Sequence, residues 1–260
     1  MEKPSTDPVA VRLALATLVA CAAVALSLAG GAGAWSPVII VGALVIIAVA
    51  ARPLLPRGTL RSARGLPSVV LMRALVAGAL YGAEAYLPYV LIADYDFSPT
   101  FAGFGLTAAA LAWAVAAEIQ GLYGDRLGNR RITILGSIPL VIAIGGVGLA
   151  AWLHLPPAVI IAVWGLAGVG MGLMYPRLTV LTLAYSTPQN QGFNSAALSI
   201  SDSVGASAAI AVMGVVFVSL AGTDAGFPVV FALATGLALL ACVPGLRLGH
   251  ARELSHASQH

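Results

Sequence analysis

Four charged side chains of this chain stand in stretches that offer a charge almost nothing to interact with. Glu84 lies in YGAEAYLPY, Asp202 in SISDSVG, Arg73 in LMRAL and Arg177 in MYPRL. Low dielectric favours the neutral, protonated form of a carboxyl, so Glu84 and Asp202 are candidates to take up and release a proton. A guanidinium stays charged in almost any surroundings and binds anionic groups, which makes Arg73 and Arg177 candidates to attract one. At about 100° per residue, Arg73, Ala77, Leu80, Glu84 and Pro88 share one stripe of a helix. Two charges, a small residue and a proline on one stripe mark a face turned to water or to a neighbouring helix, not to lipid. Ser195, Ser199, Asp202 and Ala206 share a second stripe, small and polar, for which hydrogen bonding between helices competes with a proton or substrate role. Arg177 follows Pro176, which should kink its helix. It either draws in an anionic group or snorkels to the membrane surface.

These residues need membrane helices to position them. The chain is 60% hydrophobic and 9% charged, with a mean hydropathy of +0.96, whereas an ordinary soluble domain carries about 25% charged residues. Apolar runs of about 20 residues each predict eight transmembrane helices: roughly 9–30, 36–52, 67–92, 100–122, 132–153, 157–185, 192–220 and 226–246. The runs are continuously apolar, which favours helices over the alternating strands of a barrel. The fold class is therefore an all-α integral membrane protein. Turn chemistry separates the runs, as in GGAGAWSP, DYDFSP, HLPP, STPQNQG and AGTDAG.

Cys21 and Cys242 lie inside apolar runs and read as small buried hydrophobes. The histidines have no metal-ligand spacing, and neither a phosphate loop nor a nucleophile-base set is discernible. No cofactor, no metal and no enzymatic activity are expected. The net charge of +3 and pI near 9.1 would suit nucleic acid, but the basic residues sort by topology instead. Lys3 and Arg12 precede or open the first span. Arg52, Arg57, Arg61 and Arg64 fill the second connection, Arg126, Arg130 and Arg131 the fourth, and Arg247 and Arg252 follow the last span. The first, third, fifth and seventh connections contain no Lys or Arg. By the positive-inside rule both termini are cytoplasmic, in the plasma membrane, with Trp35 and Trp152 at the outer boundary. A competing reading of the start is a signal peptide cleaved near Ala32–Ala34, opposed by Glu2 and Asp7 and by the length of the apolar run.

The segment GLYGDRLGNRR, residues 121–131, falls in the fourth connection. It resembles the cytoplasmic loop motif of the major facilitator superfamily, G-x-L-a-D-R-x-G-R-R. Gly121, Asp125, Arg126, Gly128 and Arg130 match, while Tyr123 replaces the usual leucine and Asn129 the first of the basic pair. Gly121 and Gly128 would allow close helix approach and a tight turn, and Asp125 could face a helix N-terminus. GLAGVGMGLMYPRLTVLTLAYSTPQNQGFNSAALSISDSVG is similar to the fourth and fifth helices of a C-terminal half in drug-exporter-like members. Its glycines 165, 168, 170 and 172 read as close helix packing.

The resemblance implies that residues 67–246 form one six-helix C-terminal transporter bundle. Residues 1–66 would then supply two helices plus a basic connection, and 247–260 a polar tail. It also implies that most of an N-terminal half is lacking and that the 121–131 motif is a gating loop. The third and sixth helices of the bundle, 132–153 and 226–246, should face lipid, and they alone carry no charge. The expected function is secondary active transport, as a proton-coupled antiporter exporting small molecules or drugs. Its partners would be a small-molecule substrate, protons, the lipid bilayer, and a complementary N-terminal half or a second copy. The alternative is a non-transporting, truncated or structural membrane protein that packs with a partner. The orientation yields a direct test: reporters fused at positions 95 and 128 are expected to label from opposite sides of the membrane, and same-side labelling would overturn the topology.

Overall fold

The computed structural model describes residues 9–29 and 33–248. Lys3, the Glu2 and Asp7 of the start, Ala32 and the tail from 249 onward, with Arg252, lie outside the described residues. Among the described residues nine α-helices are formed: α1 Val9–Leu28, α2 Ser36–Ala50, α3 Leu66–Glu84, α4 Leu87–Tyr95, α5 Pro99–Leu127, α6 Asn129–Trp152, α7 Pro157–Ala184, α8 Gln191–Ser219 and α9 Gly226–Leu246. No strand occurs among the described residues. Among the described residues seven spans are long and apolar enough to cross a bilayer, and the apolar part of α1, Ala10–Leu26, is shorter.

Each expected span is present, with two differences. The span expected over 67–92 is two helices, broken at Ala85 and Tyr86. Pro88 stands in the first turn of α4, where its missing N–H costs nothing. Inside a continuous helix its ring would clash with the carbonyl four residues earlier, at Glu84, the last residue of α3. The second difference concerns 121–131, most of which is helix. α5 runs on to Leu127, α6 begins at Asn129, and Gly128 alone turns the chain, with φ +80°. That backbone angle is costly for any residue with a Cβ. By contrast, α7 and α6 continue as helix through Pro176 and Pro139.

The helices from α3 to α9 pack in a repeating pattern. α3 lies against α8 and α9, α7 lies against α5 and α6, α6 meets α9, and α3 meets α7. Exchanging α3 with α7, α5 with α8 and α6 with α9 turns this set of pairings into itself. Each three-helix unit, α3/α4–α5–α6 and α7–α8–α9, has an odd number of spans, so the second unit runs through the membrane inverted relative to the first. This is the inverted-repeat construction used by many transporters. α1 and α2 form a hairpin that packs on α8.

Small residues let the central pairs approach closely. A Cβ on Gly205 of α8 would collide with the backbone of Ala74 on α3, and one on Gly168 of α7 would collide with the backbone of Ala109 on α5. Gly170 and Gly172 are similarly crowded, by α6 and α5, while Gly165 has open space around it. Three of the four glycines expected to mediate close packing therefore do so. The largest side chains of the core, Trp164, Phe231, Met72 and Met174 among them, are fully buried between these crossings. α6 and α9 expose rows of large apolar side chains, including Leu135, Ile138 and Ile142 on one and Leu239, Leu240 and Val243 on the other. α5 and α8 expose such rows as well, among them Leu111 and Val115 on one and Val215 and Val218 on the other.

Candidate functional site

Arg73, Asp202 and Tyr175 meet where α3, α8 and α7 converge. The Arg73 Nε donates to Asp202 Oδ1 at 2.8 Å, and the Tyr175 hydroxyl donates to the same oxygen at 2.6 Å. Nη1 of Arg73 reaches the backbone carbonyl of Tyr175 at 3.1 Å and Thr179 Oγ1 at 3.4 Å. The guanidinium carbon lies 3.2 Å from the centre of the Tyr175 ring. Trp113 of α5 packs edge-on against that ring, with centroids 5.3 Å apart. Four helices, α3, α5, α7 and α8, thus converge on one ionic cluster.

The exposure of the pair is graded. The Arg73 side chain is 12% exposed and that of Asp202 23%. An ion pair in this setting is held by its geometry and by the additional hydrogen bonds to each partner. Asp202 keeps some access to the open side of the bundle, along a stripe on which Ser195 and Ala206 are half-buried and Ser199 is exposed. Arg73 lies seven residues from the Leu66 end of α3, about 10 Å at 1.5 Å per residue. The cluster therefore sits in the half of the bundle nearer the 121–131 turn.

Arg177, two residues beyond Tyr175, points elsewhere. Its Nε and Nη2 donate to Asn129 Oδ1 at 2.8 and 2.6 Å, and its Nη1 donates to Asp125 Oδ1 at 2.7 Å. Arg177 is buried and Asn129 almost completely so, whereas the Asp125 side chain is 94% exposed. Arg177 neither snorkels nor joins the Arg73 cluster. It fastens the α5–α6 turn to α7. This accounts for Asn129 in place of a basic residue: an acceptor is needed there, and a second cation would face Arg177. Gly128 serves the tight turn as expected. Gly121 is surrounded by open space and brings no described helix close; Gly124, one turn on, packs against Gln120 and Ile132 instead. Arg126 and Arg130 are exposed at the turn.

Glu84 occupies the last residue of α3, half-buried at the helix break. It lies eleven residues from Arg73 on the same chain segment, about 16 Å along a helix axis, so it does not enter the Arg73–Asp202 cluster. Ala77 and Leu80, between them on the expected stripe, are buried. The stripe is packed against neighbouring helices and does not line water. Glu118 is exposed on α5 and makes no ion pair among the described residues. Tyr175, Trp113 and Asn129 were not anticipated from the sequence. The available signals were a tyrosine beside Pro176, a proline in the interior of an apolar helix, and the departure of Asn129 from the motif.

Compared with known proteins, residues 69–258 match the family model described as the Major Facilitator Superfamily. No curated protein matches the chain.

The two partners of Arg177 differ enough in burial to be separated by mutation. Arg177→Met removes both Arg177 donors from the buried Asn129 side-chain oxygen, a loss of about 1–3 kcal/mol. Asp125→Asn alters one exposed end of the network and is expected to change stability by less than about 1 kcal/mol. Thermal unfolding of the purified protein should rank Arg177→Met well below both wild type and Asp125→Asn. Equal losses would show that the turn is held by charge alone.

Proposed function

Because the chain belongs to the Major Facilitator Superfamily, a family of membrane transporters of small molecules, we propose that it works as a proton-coupled exporter with Asp202 and Arg73 at its transport site. The observation that carries this reading is the Arg73–Asp202–Tyr175 cluster, an ion pair inside the apolar span region with one side left accessible. Protonation of Asp202 would cancel the charge that holds Arg73. The freed guanidinium could then engage an anionic or polar group of the substrate, and substrate release would let the pair re-form as the proton leaves. Tyr175 donates to the carboxylate and lies under the guanidinium, so it would respond to both states. Through Pro176 it is joined to Arg177, whose hydrogen bonds to Asn129 and Asp125 complete a short link between the site and the gating motif. Glu84, at the α3–α4 break, is a second proton candidate toward the opposite end of the bundle.

Alternating access needs a second surface to close the cavity. α5 presents Phe104, Leu111, Val115, Leu122 and the charged Glu118 as exposed residues. A carboxylate on a face turned to lipid is unfavourable by a few kcal/mol at depth, which supports a protein partner on this face. We propose another six-helix bundle there, from a complementary half or a second copy. The plasma membrane, with the 121–131 turn on the cytoplasmic side, is the proposed location. The same open face of α5 also supports the alternative of a non-transporting subunit packed on another membrane protein.

Everted vesicles containing the protein and its partner bundle, loaded with a pH-sensitive dye and challenged with a panel of small molecules, separate the two readings. Transport predicts that some compound triggers protein-dependent proton movement, that Asp202→Asn abolishes it, and that the variant still inserts normally. Proton movement unaffected by Asp202→Asn would remove Asp202 from the mechanism, and its absence with every compound would favour the packing subunit.

A further inference from the structure

The basic connection between α2 and α3 is a built structure with a groove of its own. Residues 51–65 carry four arginines and no acidic residue. Two short 3-10 turns, Arg52–Leu54 and Thr59–Arg61, shape the segment, and Gly58, Ser62 and Gly65 adopt positive φ. Side chains lock it in place. Thr59 Oγ1 donates to the Pro56 carbonyl at 2.6 Å, and Ser68 Oγ donates to the Ala63 carbonyl at 2.8 Å. Arg247, directly after α9, donates to the carbonyls of Arg61 and Ser62 at 3.0 and 2.7 Å. An arginine spent on backbone carbonyls at the far end of the bundle holds this connection against the last helix.

Between the segment, the end of α2 and α8 lies a groove of about 400 Å³. Its walls are apolar, formed by Ile47, Ala48, Leu55 and Val204, and Arg52, Arg57 and Arg61 stand around it. Leu60 extends from the same rim, 69% exposed. α2 and the turn after it form one apolar span, Ser36–Leu54, so the groove opens where that span reaches the membrane surface. A free anion would find three cations but an apolar cleft with nothing to donate. An ordinary acyl chain would fit the cleft but bring no anion to the basic rim. One class of molecule uses both parts. We propose that this groove binds an anionic phospholipid, with an acyl chain against α2 and α8 and the phosphate held by Arg52, Arg57 and Arg61. The site requires only that the chain spans a bilayer, so it stands or falls independently of the transport reading.

A basic residue near an anionic lipid surface contributes about five-fold to binding, so removing all three arginines should weaken binding on the order of a hundred-fold. The measurement is native mass spectrometry of the full chain in detergent, titrated with phosphatidylglycerol or phosphatidylcholine. Preferential retention of phosphatidylglycerol is expected. It should be lost in Arg52→Gln/Arg57→Gln/Arg61→Gln and in Ala48→Phe, which fills the groove without touching a charge. It should persist in Arg126→Gln/Arg130→Gln/Arg131→Gln, which removes as much charge from the neighbouring connection. Equal retention of the two lipids, or equal loss from both arginine triples, would overturn the site as a mere effect of net charge. Displacement of phosphatidylglycerol by inorganic phosphate, with Ala48→Phe behaving as wild type, would assign the arginines to a soluble anion and overturn the lipid.

Discussion

An ionised side chain inside a membrane has to find a counter-charge, and Arg73 finds Asp202 across 129 positions of sequence. That requirement orders much of the bundle. For the guanidinium and the carboxylate to reach 2.8 Å, α3 and α8 must approach to the point where Gly205 has no room for a Cβ against Ala74. The tyrosine ring beneath the guanidinium brings in α7, and Trp113 against that ring brings in α5. The ionic cluster thus draws on four helices, while α6 adds its own buried polar groups, Asn129, Thr133 and Ser137. A buried pair of this kind adds little net stability over apolar packing of the same shape, yet breaking it on one side is costly. Such a pair suits a switch, because changing the charge of one partner changes the favoured arrangement of the helices that carry both.

The second polar node stands two residues away on α7. Tyr175 turns toward Asp202 while Arg177 turns toward Asn129 and Asp125, so one turn of helix links the ion pair to the α5–α6 corner. Both nodes lie on the same end of the bundle as the basic connections. The inverted pairing of α3/α4–α5–α6 with α7–α8–α9 explains how residues so distant in the chain come together: the units interlock, α3 lying against α8 and α9 while its counterpart α7 lies against α5 and α6.

The span pattern was legible in the sequence because a bilayer allows few alternatives: about 20 apolar residues must be helix, and the breaks between them carry turn residues. The α3–α4 break was written in Pro88, but hydropathy does not register a proline within an apolar run. The pairing of Arg73 with Asp202 was not legible, since helical periodicity says which residues share a face and nothing about which faces meet. For that reason Arg73 and Glu84 were grouped on one stripe, whereas Arg73 belongs with residues on α7 and α8. Asn129 was visible as a departure from the motif, but its reason, the buried Arg177, becomes apparent only once α7 is packed against the turn.

The claim on which the rest depends is that Arg73 and Asp202 stabilise each other and not merely their own surroundings. A double-mutant cycle on thermal unfolding with Arg73→Gln, Asp202→Asn and the combination measures this directly. Each single substitution strands a partner and is predicted to lower stability by about 3–5 kcal/mol, with the double variant recovering most of that loss. Losses that simply add in the double variant would contradict the account, since the two side chains would then be independent of one another.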